Sequence, residues 1–195
     1  MNGQFENLMM KKEIPVIALR DVVLFPNLIM PLTIGRPKTT AAMDKAMSSD
    51  KLALFVTQKN SSEEIGPENL YSIGTIGRIN LAMKTNNNGS ARVEVEGLKR
   101  MRITGYSQTE PYLLAKIEPL AEKVESNVEI QALVRSILEN FALISEAIRP
   151  LPQDFLNLVK NINNPEQILY ILVSQLSAIG YLSVADQQKI LEAVD

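Results

Sequence analysis

At 195 residues, with 46% hydrophobic and 22% charged side chains, the chain has the composition of a soluble globular protein and the length to bury a sizeable core. A formal charge of −2 and a pI near 5.4 argue against a general nucleic-acid binder, which needs a dense basic face to displace phosphate counterions. The absence of both cysteine and histidine excludes disulfides, zinc–thiolate sites and thiol nucleophiles, and removes the commonest general base and metal ligand.

Residues 1–12 lack the apolar core of a signal peptide, because Leu8, Met9 and Met10 run directly into Lys11 and Lys12. No stretch approaches the roughly 20 apolar residues that span a bilayer. The reading is a cytoplasmic protein with no membrane partner. Short apolar runs at 14–19, 28–34 and 52–57 predict strands, with Pro15, Pro26 and Pro31 suited to edges or turns because proline cannot donate to a ladder. Residues 36–47 read as a helix with Pro37 in its first turn. Strands at 73–84 and 91–103 flank Asn86-Asn87-Asn88-Gly89, a hairpin turn signal. Within the second of these, Arg92-Val93-Glu94-Val95-Glu96 alternates, which places both valines inward and the charges in water. Gly74, Gly77 and Gly97 read as bulges that curl the sheet, and residues 112–117 supply a last strand.

The pattern turns helical near residues 122–127. Ser126 and Glu129 form a capping box. Ile130, Leu133, Val134, Ile137, Leu138, Phe141, Ile144 and Ile148 then keep the helical period. Pro150 and Pro152 divide this helix from a second with Phe155, Leu156, Val159 and Ile162 inside. Asn164 caps a third that carries Ile168, Leu169, Leu172, Val173 and Leu176, and Ser183 opens a fourth that is still running at Asp195, as in a piece of a longer chain. The fold class is therefore α+β: a small, curled, mostly antiparallel, barrel-like β domain with one helix over residues 1–121, then a bundle of about four helices over 122–195.

The sequence carries little that could act as a catalytic group. Gly35-Arg36-Pro37-Lys38-Thr39-Thr40 superficially resembles a phosphate loop, but Pro37 stands where a glycine amide must precede the lysine, so a plain helix start is the better reading. No serine sits in a nucleophile elbow beside a lysine. Glu63 with Glu64, Glu94 with Glu96, and Glu110 with Glu118 read as solvated charges. Lys99, Arg100 and Arg102 could line one sheet surface with Arg78 and Arg92, salt-bridged to strand glutamates. The candidate contact surface is the proline-punctuated apolar stretch Phe25, Pro26, Leu28, Ile29 and Met30, which reads either as core beneath a turn or as a patch that captures unfolded protein. Met9, Met10 and Met83 could extend the patch, since methionine adapts to varied partners.

The run Ile14-Pro15-Val16-Ile17-Ala18-Leu19-Arg20, leading through Asp21 to Leu24-Phe25-Pro26, resembles the opening of the amino-terminal domain of the ATP-dependent protease Lon. Pro31-Leu32-Thr33-Ile34-Gly35-Arg36 continues it in register. Gly74-Thr75-Ile76-Gly77-Arg78-Ile79 and Val95-Glu96-Gly97-Leu98-Lys99-Arg100 are similar to two internal strand motifs of that family, and Asp186-Gln187-Gln188-Lys189-Ile190-Leu191-Glu192 to its entry into a connecting helix. The resemblance implies a PUA-like β domain followed by helices, and a role in recognising unfolded or degron-bearing proteins and in assembling a hexamer. It implies no catalytic, cofactor-binding or metal-binding residue in this chain, with ATP, magnesium and the Ser-Lys peptidase belonging to later domains of the parent protein. The alternatives are a stand-alone Lon-domain adaptor or small-ligand binder and a PUA-like RNA-binding module.

Overall fold

The computed structural model describes residues 13–84, 90–120, 128–148, 159 and 161–193, with the side chains of 144–148 not included. Met9 and Met10, the expected turn at Asn86 to Gly89, the Ser126 capping box and the Pro150 to Leu156 segment lie outside the described residues. Six strands, β1 (Glu13–Leu19), β2 (Ile29–Ile34), β3 (Leu52–Thr57), β4 (Ile73–Lys84), β5 (Ala91–Gln108) and β6 (Leu114–Pro119), are joined by α1 (Pro37–Met47) and a 3-10 turn (Pro67–Asn69). Three helices follow: α2 (Val128–Ile148), α3 (Pro165–Ala178) and α4 (Val184–Glu192).

The strands run in the order β2-β5-β4-β3-β1-β6, and β6 pairs again with β5. Because β5 is 18 residues long, its first half can hold β2 and its second half β6, which closes β5-β4-β3-β1-β6 into a ring. Closure removes the edges of the five ring strands and leaves β2 as an edge strand on β5. All pairs are antiparallel except β1 with β3, where Val16 to Leu19 lie beside Leu54 to Thr57. That parallel pair is not foreseen by the sequence reading. It explains why β1 and β3 are apolar at consecutive positions: both faces are covered, as is usual for parallel strands. Successive residues feed two clusters. Val16, Leu54, Ile76, Met101 and Ala115 give one side chain from each ring strand, while Ile17, Phe55, Val93 and Val95 join Ala42, Met43 and Ala46 of α1.

α1 starts where expected. Arg36 is its N-cap with extended backbone, Pro37 takes the first position at no hydrogen-bond cost, and Thr39, Ala42, Met43 and Ala46 form its inner stripe. The bulge reading holds at Gly77 and Gly97, which face each other where the β4–β5 register shifts; Leu98 is the extra residue. This shift flips the faces of β5. Val93 and Val95 enter one cluster and Met101 the other.

The chain divides into two compact units, Met1–Ala121 with Val184–Val194, and Glu122–Ser183 with Asp195. In the second, Phe141, Val159, Ile168 and Leu172 pack together with Val134 and Leu138, and the Asn164 side chain accepts from the amides of Glu166 (2.9 Å) and Gln167 (3.3 Å). Leu133 and Ile137 of the expected inner stripe are exposed. The apolar arc of α2 is wider than the described neighbours cover. α4, expected as the fourth member of the bundle, groups instead with the barrel unit, where Gln188 Nε2 donates to the Ile73 carbonyl at 3.0 Å.

Candidate functional site

The apolar stretch after β1 is split by the fold. Residues 20–28 cross the sheet as a pinned loop. Thr57 Oγ1 donates to the Val22 carbonyl (2.8 Å), Thr75 Oγ1 to that of Leu24 (2.6 Å), and Gly97 exchanges bonds with Asn27 and Leu28 (2.9 and 2.8 Å). Asp21 and Asn27 take positive φ, a conformation short polar side chains tolerate. Phe25 is 1% exposed and Pro26 is buried, so both serve the interior. Leu28 and Met30 are half-buried, Met30 against the core, and only Ile29 stands out, at 62% exposure.

Ile29 belongs to a larger surface, the outer face of β2, β5 and β4. Register sets Ile29 beside Glu96 and Arg78, Pro31 beside Glu94 and Leu81, and Thr33 beside Arg92 and Met83. Exposed apolar side chains on β2 and β4 thus flank a charged row on β5, roughly 10 Å apart across two strand spacings. Met83, 56% exposed, lies on this face. Leu81 is not legible in the sequence: alternation from buried Ile79 would turn it inward, but the second β4–β5 register shift, between Ile79 and Leu81, leaves Asn80 and Leu81 both outside.

The basic cluster is dispersed. Arg78 pairs with Glu96 (3.5 Å) and Arg102 with Glu118 (3.9 Å), whereas Arg100 is 3% exposed and donates to the carbonyls of Leu191 and Ala193 at the end of α4. The register shift at Leu98 explains this, since it turns Arg100 away from the surface expected for it. Of the glutamate pairs, Glu63 reaches Arg20 (3.0 Å), Glu110 reaches Lys38 (2.5 Å) and Glu118 reaches Arg102, while Glu94 and Glu96 stay together on the outer face of β5. Among the described residues no three His, Cys, Asp or Glu side chains are grouped to hold a metal.

A cleft of about 470 Å³ lies beside β2, lined by Pro31 to Gly35 together with Arg20, Arg36, Thr39 and Glu63. The Arg36 guanidinium donates to Gln58 Oε1 and to the Ala18 carbonyl (2.8 Å); Arg20 Nη2 donates to the Ser62 carbonyl (3.0 Å) and to Glu63. Burial first, and then the like charge of Arg20, pull Arg36 below its ordinary pKa; Glu63 opposes them.

The chain thus combines a small closed barrel, one capping helix, an apolar-flanked outer sheet face and an arginine-lined cleft. The chain belongs to the family described as the ATP-dependent protease La (LON) substrate-binding domain, which it matches over residues 13–195. It is 33% identical over 182 residues to the Lon protease of Dictyoglomus thermophilum, covering 93% of this chain and 22% of that protein. To the Lon protease of Escherichia coli K12 it is 34% identical over 184 residues, covering 94% and 23%. It therefore spans less than a quarter of the length of these relatives. Its fold resembles the N-terminal domain of Mycobacterium avium complex Lon protease, with a TM-score of 0.74 at 20% identity over 94% of this chain and 91% of that one. No helix among the described residues is long and apolar enough to cross a membrane.

Proposed function

We propose that this chain is the part of a cytoplasmic, ATP-dependent Lon-type protease that grips unfolded or degron-bearing proteins, and that it does so through the outer face of β2, β5 and β4. The supporting observation is the exposure of Ile29, Pro31, Leu81 and Met83 together on that face, in a chain of the LON substrate-binding family. Apolar side chains around a charged row suit a receptor that must accept many sequences: methionine adapts to varied apolar partners, and the charges keep the free face in solution. ATP, magnesium and the peptidase nucleophile are assigned to the portion of the relatives that this chain does not span, and no residue here is given a catalytic role. Assembly into a hexamer belongs to the same reading, because several copies raise the effective concentration of weak contacts.

The substitutions Ile29→Asp and Met83→Asp, made together, test the face. Both side chains are exposed, so the fold should persist, with circular dichroism as the check. Capture of an unfolded reporter protein, read by fluorescence anisotropy, should weaken by about tenfold. Unchanged capture by the folded double variant removes this face from the mechanism.

A further inference from the structure

The cleft beside β2 has features that neither the core nor the exposed face requires. Thr39 is 4% exposed and lines the cleft, yet its Oγ1 has no hydrogen-bond partner; Arg20 Nε is likewise buried without one. α1 begins at the same place with no side chain capping it and no acidic residue in its first turn, so the amides of Lys38 and Thr39 carry the positive end of an 11-residue helix. Unpaired buried donors are costly in a native fold unless something satisfies them. Arg20, Arg36 and Thr39 line the cleft together, and two guanidiniums with an unpaired hydroxyl are a donor set suited to an oxyanion. One carboxylate already touches it: Glu63, largely exposed, lies on Arg20 at the mouth.

The rest of the cleft indicates what carries the anion. β2 ends the strand order, no other strand among the described residues pairs with its second edge, and Pro31 to Ile34 of β2 line the cleft. An extended peptide added to such an edge gains main-chain hydrogen bonds regardless of its sequence. β2 runs toward Gly35 and Arg36, so a peptide lying parallel to it delivers its carboxyl end to Arg36 and α1. We infer that this cleft is a subsite for the free carboxyl terminus of a bound polypeptide, held by Arg20, Arg36 and the Thr39 hydroxyl. The inference rests on the protein-binding reading above and adds to it a preference for chain ends.

The test uses the 195-residue chain and a short, dye-labelled valine–serine peptide in two forms, one with a free carboxyl terminus and one amidated. An unfolded reporter protein serves as a separate ligand and inorganic phosphate as competitor. The free acid should bind at least about tenfold more tightly than the amide. Arg36→Gln should bring the two together. Thr39→Val, which removes a hydroxyl that makes no bond in the free protein, should narrow the gap without destabilising the fold. Glu63→Gln removes the internal competitor and should tighten binding of the acid alone by about threefold. Phosphate should displace the acid. If Arg36→Gln does not fold, the other two variants decide the matter. Equal binding of acid and amide, with the reporter still captured, overturns the subsite and leaves the protein-binding reading standing. Phosphate binding without discrimination between the peptides also overturns it. Failure to bind peptides and reporter alike overturns both.

Discussion

Replacing Gly97 with alanine should cost about 3–5 kcal/mol of folding stability, the range seen when a buried aromatic is dislodged. A Cβ at this position would lie 2.1 Å from the Phe25 carbonyl oxygen and 3.3 Å from the Pro26 Cα, both backbone atoms that no rotamer change can move. Relief requires lifting the loop at 20–28 from β5. That would break the bonds with Asn27 and Leu28 and disturb Val23, Leu24 and Phe25, all buried. Gly105 on the same strand is the control. A Cβ there meets nothing within 4 Å, so Gly105→Ala should be neutral or slightly stabilising through the unfolded state. Urea unfolding of the two variants checks the contrast. Similar midpoints would mean that the loop is not seated on Gly97 as described.

The second large effect is expected at Arg100. Its guanidinium is buried under α4 and donates to the carbonyls of Leu191 (3.2 Å) and Ala193, so a cation sits at the negative end of that helix. Arg100→Met should cost about 2–4 kcal/mol, from the lost charge-assisted bonds and the carbonyls left buried without a donor. The loss should fall first on α4, seen as faster proteolysis after Val184 while the barrel strands stay protected. Arg102→Met, two residues along and facing solvent with a 3.9 Å contact to Glu118, should stay within about 0.5 kcal/mol of the parent. Equal losses for the two arginines would contradict the assignment of Arg100 as the anchor of α4.

These two positions also mark where the sequence is legible and where it is not. Alternation at Val93 and Val95, the proline start of α1 and the Asn164 cap are local signals, and each element forms where its signal lies. The continuation of β5 to Gln108 is missed because Gly105 and the polar residues after it weaken the strand pattern, while pairing with β6 holds the segment extended. Last in the chain, α4 is legible as a helix, but its partner is not. What draws it to the barrel is a buried arginine 91 residues away from Leu191, and in sequence that arginine looks like one member of a surface cluster. The contact surface follows the same logic. Phe25 and Pro26 read first as core beneath a turn and second as a patch, and the close approach at Gly97 seats them in the interior. Ile29 and Met83 depend on strand register, Leu81 on a bulge, and the cleft on Arg20, Arg36 and Thr39 meeting across two loops. A proline in the Gly35 to Thr40 segment excludes a phosphate loop, yet the same proline starts the helix whose Thr39 lines the cleft.

Backbone hydrogen exchange on the 195-residue chain, alone and with a saturating unfolded reporter protein, tests the proposed binding face most directly. The account predicts added protection in β2 (Ile29–Ile34) and in residues 81–84, with β6 (Leu114–Pro119) unchanged. Reporter binding that leaves β2 and residues 81–84 exchanging as in the free chain would contradict it.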